Sequence, residues 1–197
     1  MRLLKCLMAL AAVAVLAGCA HPLTIGPDLS KVERDATERP IPRNVGYYIP
    51  ADVLERAVTT EGGGGDSVTY KPYKDMEIAF YKMLGNVFKN VTRLKSANDA
   101  EVLAKGDIAY VITPEISTNS SSPSPFTWPP TRFAVNLSCR ITDASGKFVG
   151  RAGVTGNGQA EYDEFKADFS LSGRRAALDA VLKMQAELLK MSALRAE

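Results

Sequence analysis

The run TRFAVNLSCRITD, residues 131–143, constrains this chain more than any other stretch. Phe133, Val135, Leu137, Cys139 and Ile141 alternate with Ala134, Asn136, Ser138, Arg140 and Thr142. That is the two-residue period of a strand with one face on a core and the other in water. Asp143-Ala144-Ser145-Gly146 reads as a turn, so KFVGRAGVTGNGQ folds back as a hairpin partner. Gly150, Gly153, Gly156 and Gly158 weaken that partner and point to bulges or a close backbone approach. GDIAYVITPEIS, residues 106–117, is a second alternating strand, and VGYYIP, residues 45–50, a third.

A sheet with one apolar face needs a cover, and two segments have the period to supply it. In DMEIAFYKMLGNVFKNV, residues 75–91, Met76, Ala79, Phe80, Met83, Leu84, Val87, Phe88 and Val91 recur every three or four residues, with Asp75 as the expected cap. A stripe of Leu178, Val181, Leu182, Leu188 and Leu189 marks a last helix from Ser172 to about 195. Short helices are expected at 51–58 and at 98–105, the latter capped by Asn98. The expected architecture is α+β: a two-layer domain with a mostly antiparallel sheet of about four strands and two main helices on one face. Four consecutive glycines, Gly62 to Gly65, lack the Gly-Lys-Ser/Thr and the helix that a phosphate loop requires, and read as a surface loop.

NSSSPSPFTWPP, residues 119–130, joins two of these strands and carries the only tryptophan. A hairpin needs about 2 to 5 connecting residues, and longer structureless loops are commonly functional. Phe126, Trp128, Pro129 and Pro130 form a rigid, apolar candidate partner-binding loop. The other reading is that Trp128 folds back over an open sheet face.

The N-terminus has a basic start, Arg2 and Lys5, and an unbroken apolar run from Leu7 to Leu16. This is the build of an export signal, too short to span a bilayer comfortably. Leu16-Ala17-Gly18-Cys19 resembles the lipobox of bacterial lipoproteins. The resemblance implies cleavage before Cys19 and acylation of that residue, which becomes the membrane anchor. Each buried methylene contributes about 0.8 kcal/mol, so two or three chains hold durably. Residues 1–18 are then the signal, 19–44 a proline-broken lipidated tether that can in part pack on the body, and 45–197 a single domain.

Composition narrows the chemistry. The chain holds 24 basic and 22 acidic residues, and removal of the signal with Arg2 and Lys5 leaves 22 of each. A formally neutral chain without a basic block gives no footprint for nucleic acid. Once Cys6 is cleaved off and Cys19 acylated, only Cys139 is left, so no internal disulfide is expected. Cys139 takes a core-facing position and reads as a small buried hydrophobe. The only histidine, His21, lies beside the anchor residue, a poor place for a triad or a metal site. Glu161, Asp163 and Glu164 read as a solvated acidic connection. No catalytic residue, metal or cofactor is expected.

Signal, lipobox, tether and one small α/β body resemble small envelope lipoproteins of Gram-negative bacteria: YajG-type lipoproteins, auxiliary lipoproteins of envelope transport, and accessory lipoproteins of polysaccharide export. The resemblance spans the element order of residues 45–195. It implies a non-enzymatic role supporting an envelope assembly or transport complex through a protein partner or self-association. Ala20 after the anchor is not the aspartate that signals inner-membrane retention in enteric bacteria, which implies the outer membrane, with the domain facing the periplasm. The alternative is a binding module for a hydrophobic or glycan ligand, held between helix 75–91 and the sheet.

Overall fold

The computed structural model describes residues 20–64, 66–123 and 129–195. Its elements are β1 (His21–Pro22), β2 (Ile41–Tyr48), α1 (Ala51–Leu54), β3 (Val58–Glu61), β4 (Ser67–Tyr70), α2 (Pro72–Val87), β5 (Phe88–Leu94), α3 (Ala100–Lys105), β6 (Ile108–Ser121), β7 (Arg132–Asp143), β8 (Phe148–Gln159), α4 (Tyr162–Phe165) and α5 (Leu171–Lys190). They build a mixed α/β fold with two sheets. One has five strands in the order β5-β2-β6-β7-β8, the other three in the order β1-β4-β3.

The five-stranded sheet has two halves. β2 is parallel to both β5 and β6, whereas β6-β7-β8 is an antiparallel meander. The expectation of a mostly antiparallel four-strand sheet is corrected on this point. Helix 75–91 ends at Val87, and Phe88 to Leu94 continue as β5. The apolar residues Phe88 and Val91 suit either period, so spacing alone extended the helix too far. The helix also begins earlier, with Pro72 in its first turn and Lys71 as its cap residue. Pro at the start of a helix sacrifices no internal bond. Asp75 instead accepts the Ile25 backbone N–H at 3.1 Å. α3 is capped by Asp99, not Asn98, through the Val102 N–H. α5 begins at Leu171, so Ser172 lies inside it.

Pro114 lies within β6 and is paired with Cys139 of β7. The pairing of β2 with β6 ends at Tyr47 and Ile112, two residues before it. The missing N–H of Pro114 therefore falls where β6 has lost its neighbour on that side. Farther on, the Ile116 N–H donates to the Tyr73 hydroxyl at 2.9 Å.

α2 and α5 pack together on one face of the large sheet and fill the core with Met76, Phe80, Met83, Leu84, Val181, Met184 and Leu188, all buried. Two main helices on one face is what the sequence pattern leads one to expect. The opposite face is covered only over its parallel half, where Leu103 of α3 closes a small second cluster with Leu94, Ile108 and Val111.

α5 lies unusually close to β8. A Cβ on Gly156 would overlap Ala176 and Ala180, and one on Gly158 would overlap the Ser172 carbonyl and the Ala176 backbone nitrogen. This is the close approach expected from the glycine pattern; a register irregularity lies at the other end of the hairpin, where Ile141 and Thr142 face Gly150 and Phe148. α5 also caps the free edge of β8. Arg175 Nη1 donates to Gln159 O at 2.7 Å, Asp179 Oδ2 accepts from Asn157 N at 2.9 Å, and Lys183 Nζ donates to Thr155 O at 3.0 Å. Four helical residues rise about 6 Å and two strand residues about 6.7 Å, so the side-chain ladder keeps step with the strand edge. Occupied edge groups discourage strand addition there.

Residues 20–44 are not a free tether. Ile25, Val32 and Ile41 are fully buried, and His21 and Pro22 pair with Val68 and Thr69. Asn86 Nδ2 donates to Val32 O, Gln185 Nε2 to Glu33 O, and Lys82 Nζ to Leu29 O. Gly173 leaves the space that Ile25 occupies. The segment is a strap across the helical layer. Its prolines conceal this in the sequence because one buried side chain every several residues leaves no period to read.

Candidate functional site

Cys19, Phe126 and Trp128 lie outside the described residues. Pro129 and Pro130 are buried, and Pro130 O accepts from Ser172 Oγ at 2.5 Å. Both prolines are packed into the body, and the Ser172 bond holds Pro130 at the start of α5.

The register places several features at one end. His21, Val68 and Thr60 lie in one row across the small sheet. Thr60 Oγ1 is 2.6 Å from Ser120 Oγ, which also bonds Glu61 O. Ser120 in turn pairs with Phe133, and Phe133 with Gly158. Beyond that row come Ala20, the turn between Glu61 and Ser67, the exits of the proline loop at Ser121 and Arg132, and the end of β8 leading into α4. Ala20, Asp66, and Ser121 and Arg132, from which the proline loop leaves and returns, therefore share one end of the molecule. The Asp143–Lys147 turn stands at the other, about 40 Å away along the twelve-residue β7.

The second feature is the uncovered half-face of the meander. Rows across it read Asn119, Ala134, Asn157; Ser117, Asn136, Thr155; and Glu115, Ser138, Gly153. Asn136 Nδ2 donates to Ser117 Oγ at 3.3 Å, and Thr155 Oγ1 donates to Asn136 Oδ1 at 2.8 Å. The centre of this face is free of charge and made of small side chains, in a chain of which 23% is charged. Charge returns at the margins. Arg151 bonds both oxygens of Glu115, at 2.7 and 2.8 Å, Arg140 lies over the Phe148 ring at 5.6 Å, and Arg132 stands at the opposite margin.

Clefts lie at the edges. One of about 130 Å³ is lined by Asn119, Ser121, Arg132, Phe133 and Asn157. Another of about 360 Å³ is lined by Pro22, Leu23, Ala57, Tyr70, Lys71 and Asp75. The space between α2 and the sheet, where the alternative reading puts a ligand, is filled by the buried core side chains.

The groups weighed for chemistry have structural partners. Burial pushes the Cys139 thiol well above its ordinary value. Glu161 and Glu164 form the reciprocal cap of α4. Bonds from Arg175 hold the Glu164 carboxyl down at about 2. Burial raises Asp75 even though it accepts from the Ile25 N–H. His21 lies 3.6 Å from Asp66 on the paired strand β1, not on a loose tether. Among the described residues no group of three or more His, Cys, Asp or Glu side chains could hold a metal ion.

No family model matches the chain, and no curated protein matches it. Its fold is similar to that of protein XCC0632 of Xanthomonas campestris, described under the family name DUF330, with 11% identity, a TM-score of 0.50, and coverage of 87% of this chain and 92% of that one. Looser matches are a PelC dodecamer of Paraburkholderia phytofirmans, with 14% identity, a TM-score of 0.36 and coverage of 74% and 94%, and a candidate lipoprotein of Caulobacter crescentus, with 16% identity, a TM-score of 0.32 and coverage of 73% and 87%. The first likeness is one of fold alone. No helix among the described residues is long and apolar enough to cross a membrane.

Proposed function

We propose that this chain is a non-enzymatic lipoprotein, anchored through Cys19 to the outer membrane and facing the periplasm, which supports an envelope assembly or transport complex through protein contacts. The observation that carries the reading is the charge-free half-face of the meander with its charged margin. Stable interfaces share two of these features, a centre depleted of charge and a polar rim. Ser, Thr, Ala and Gly there surrender little side-chain entropy on docking, and no charge has to be desolvated. Long charged side chains on this face are confined to Glu115, Arg140 and Arg151 on one side of the centre and Arg132 on the other. The lipobox supports the anchor, and Ala20 supports the outer membrane.

Capture of the intact lipoprotein from solubilised envelopes tests the contact. The wild type should retain a defined protein partner or a second copy of itself, and Asn136→Arg should lose it while melting normally. Equal capture by both would put the contact elsewhere. Labelling with a fatty-acid probe tests the anchor: Cys19→Ser should carry no label, and undiminished label would refute acylation at that residue.

A further inference from the structure

The strap leaves no spacer between the anchor residue and the body. Leu23 N donates to Thr69 O at 2.8 Å, Ile25 N to Asp75, and Arg174 Nε to Gly26 O at 3.2 Å. His21 is already paired in a sheet. Only Ala20 separates it from Cys19, a reach of about 7 Å at full extension over two steps. Acyl chains on Cys19 would thus bring one particular end of the body to the bilayer surface.

That end carries exposed aromatic groups. Tyr162 of α4 is 61% exposed and Phe169, just before α5, is 45% exposed. Tyr162 stacks edge-on to Phe165, with Lys166 Nζ over its ring at 4.1 Å. Aromatic rings with an amphipathic lysine suit the headgroup level of a bilayer. Among the charges of this end, Glu61, Asp66, Glu161, Asp163, Glu164 and Asp168 outnumber Arg132, Lys166, Arg174 and Arg175. Attraction to anionic lipid cannot be the source of the contact.

We propose that the end formed by Ala20–Pro22, Asp66, and α4 with Phe169 rests against the bilayer as a second, non-covalent contact, made by neutral aromatic groups at the headgroup level. The inference deepens the anchor reading and rests on acylation of Cys19. It fixes the orientation of the body: β7 and β8 run outward from the membrane to the Asp143–Lys147 turn, and the open half-face looks sideways.

The test uses the intact protein in vesicles of zwitterionic phosphatidylcholine, with and without bromine on the upper acyl chains. An environment-sensitive label is placed at Asp163→Cys, next to Tyr162, or at Ser145→Cys, in the far turn. The mass of the N-terminal peptide is read first. A chain without acyl groups overturns the anchor reading and this inference together. With acylation present, bromine should quench the label at position 163 about twofold or more, as befits a group about 5–10 Å into the headgroup boundary, and leave the label at 145 unchanged. Quenching at 145, or at neither position, overturns the inference and leaves the anchor standing. Quenching at 163 that appears only after anionic lipid is added overturns the neutral contact.

Discussion

The two faces of the large sheet are made from the same three long strands and differ in what they tolerate. On the covered face, Phe133, Val135, Leu137, Cys139 and Ile141 meet two helices, one through bulky side chains and one through backbone brought close by Gly156 and Gly158. On the open face, Ala134, Asn136 and Ser138 meet nothing from this chain's helical layer. The covered face is constrained to the last methyl group. The centre of the open face is small and carries no charge, and Glu115, Arg140 and Arg151 follow it on one side and Arg132 on the other.

The largest effect should come from the tightest contact on the covered face. Gly158→Val would drive a side chain into the Ser172 carbonyl and the Ala176 nitrogen, both backbone atoms that cannot turn aside. A loss of about 3 kcal/mol or more is expected, read as a lower melting temperature. Cys139→Asp should cost a similar amount through an unpaired buried charge, whereas Cys139→Val should cost about 1 kcal/mol or less. The native thiol should alkylate slowly, because the residue is fully buried and its thiolate is disfavoured.

The open face should answer differently. Asn136→Arg and Thr155→Lys should stay within about 0.5 kcal/mol of the wild type in denaturant melts. A stability loss as large as that of Gly158→Val would erase the contrast between the faces.

The smallest effect lies at the α4–α5 junction and has a defined pH window. Arg175 depresses Glu164 from 4.5 to about 2. Its contribution is fully present above about 4.5 and is lost as pH falls through about 2. Glu164→Gln should flatten that part of the stability–pH curve, with a small loss at neutral pH and none near pH 2. The pair is exposed, so the change is small.

What the sequence revealed follows from periodicity. β7, β8, the glycine contacts and the two helices were legible because burial repeats every two or three to four residues over a dozen positions. β3 and β4 were not, being four residues each around a glycine turn. β5 was hidden by merging with the helix before it. The strap was hidden because Ile25, Val32 and Ile41 are too far apart to form a pattern. On the site, the proline loop was visible by composition, but the burial of Pro129 and Pro130 depends on where α5 begins. The charge-free half-face needs the register of three strands, which no single stretch contains.

Under the proposed function the open half-face, on a body held at the membrane, makes a protein contact. A photo-crosslinking residue at Asn136, compared with one at Lys105 on the outer side of α3, tests it in intact cells. The account predicts one discrete protein adduct from position 136, either with another envelope protein or at twice the mass of this chain, and none from position 105. No adduct at 136, or the same diffuse pattern from both positions, would contradict it.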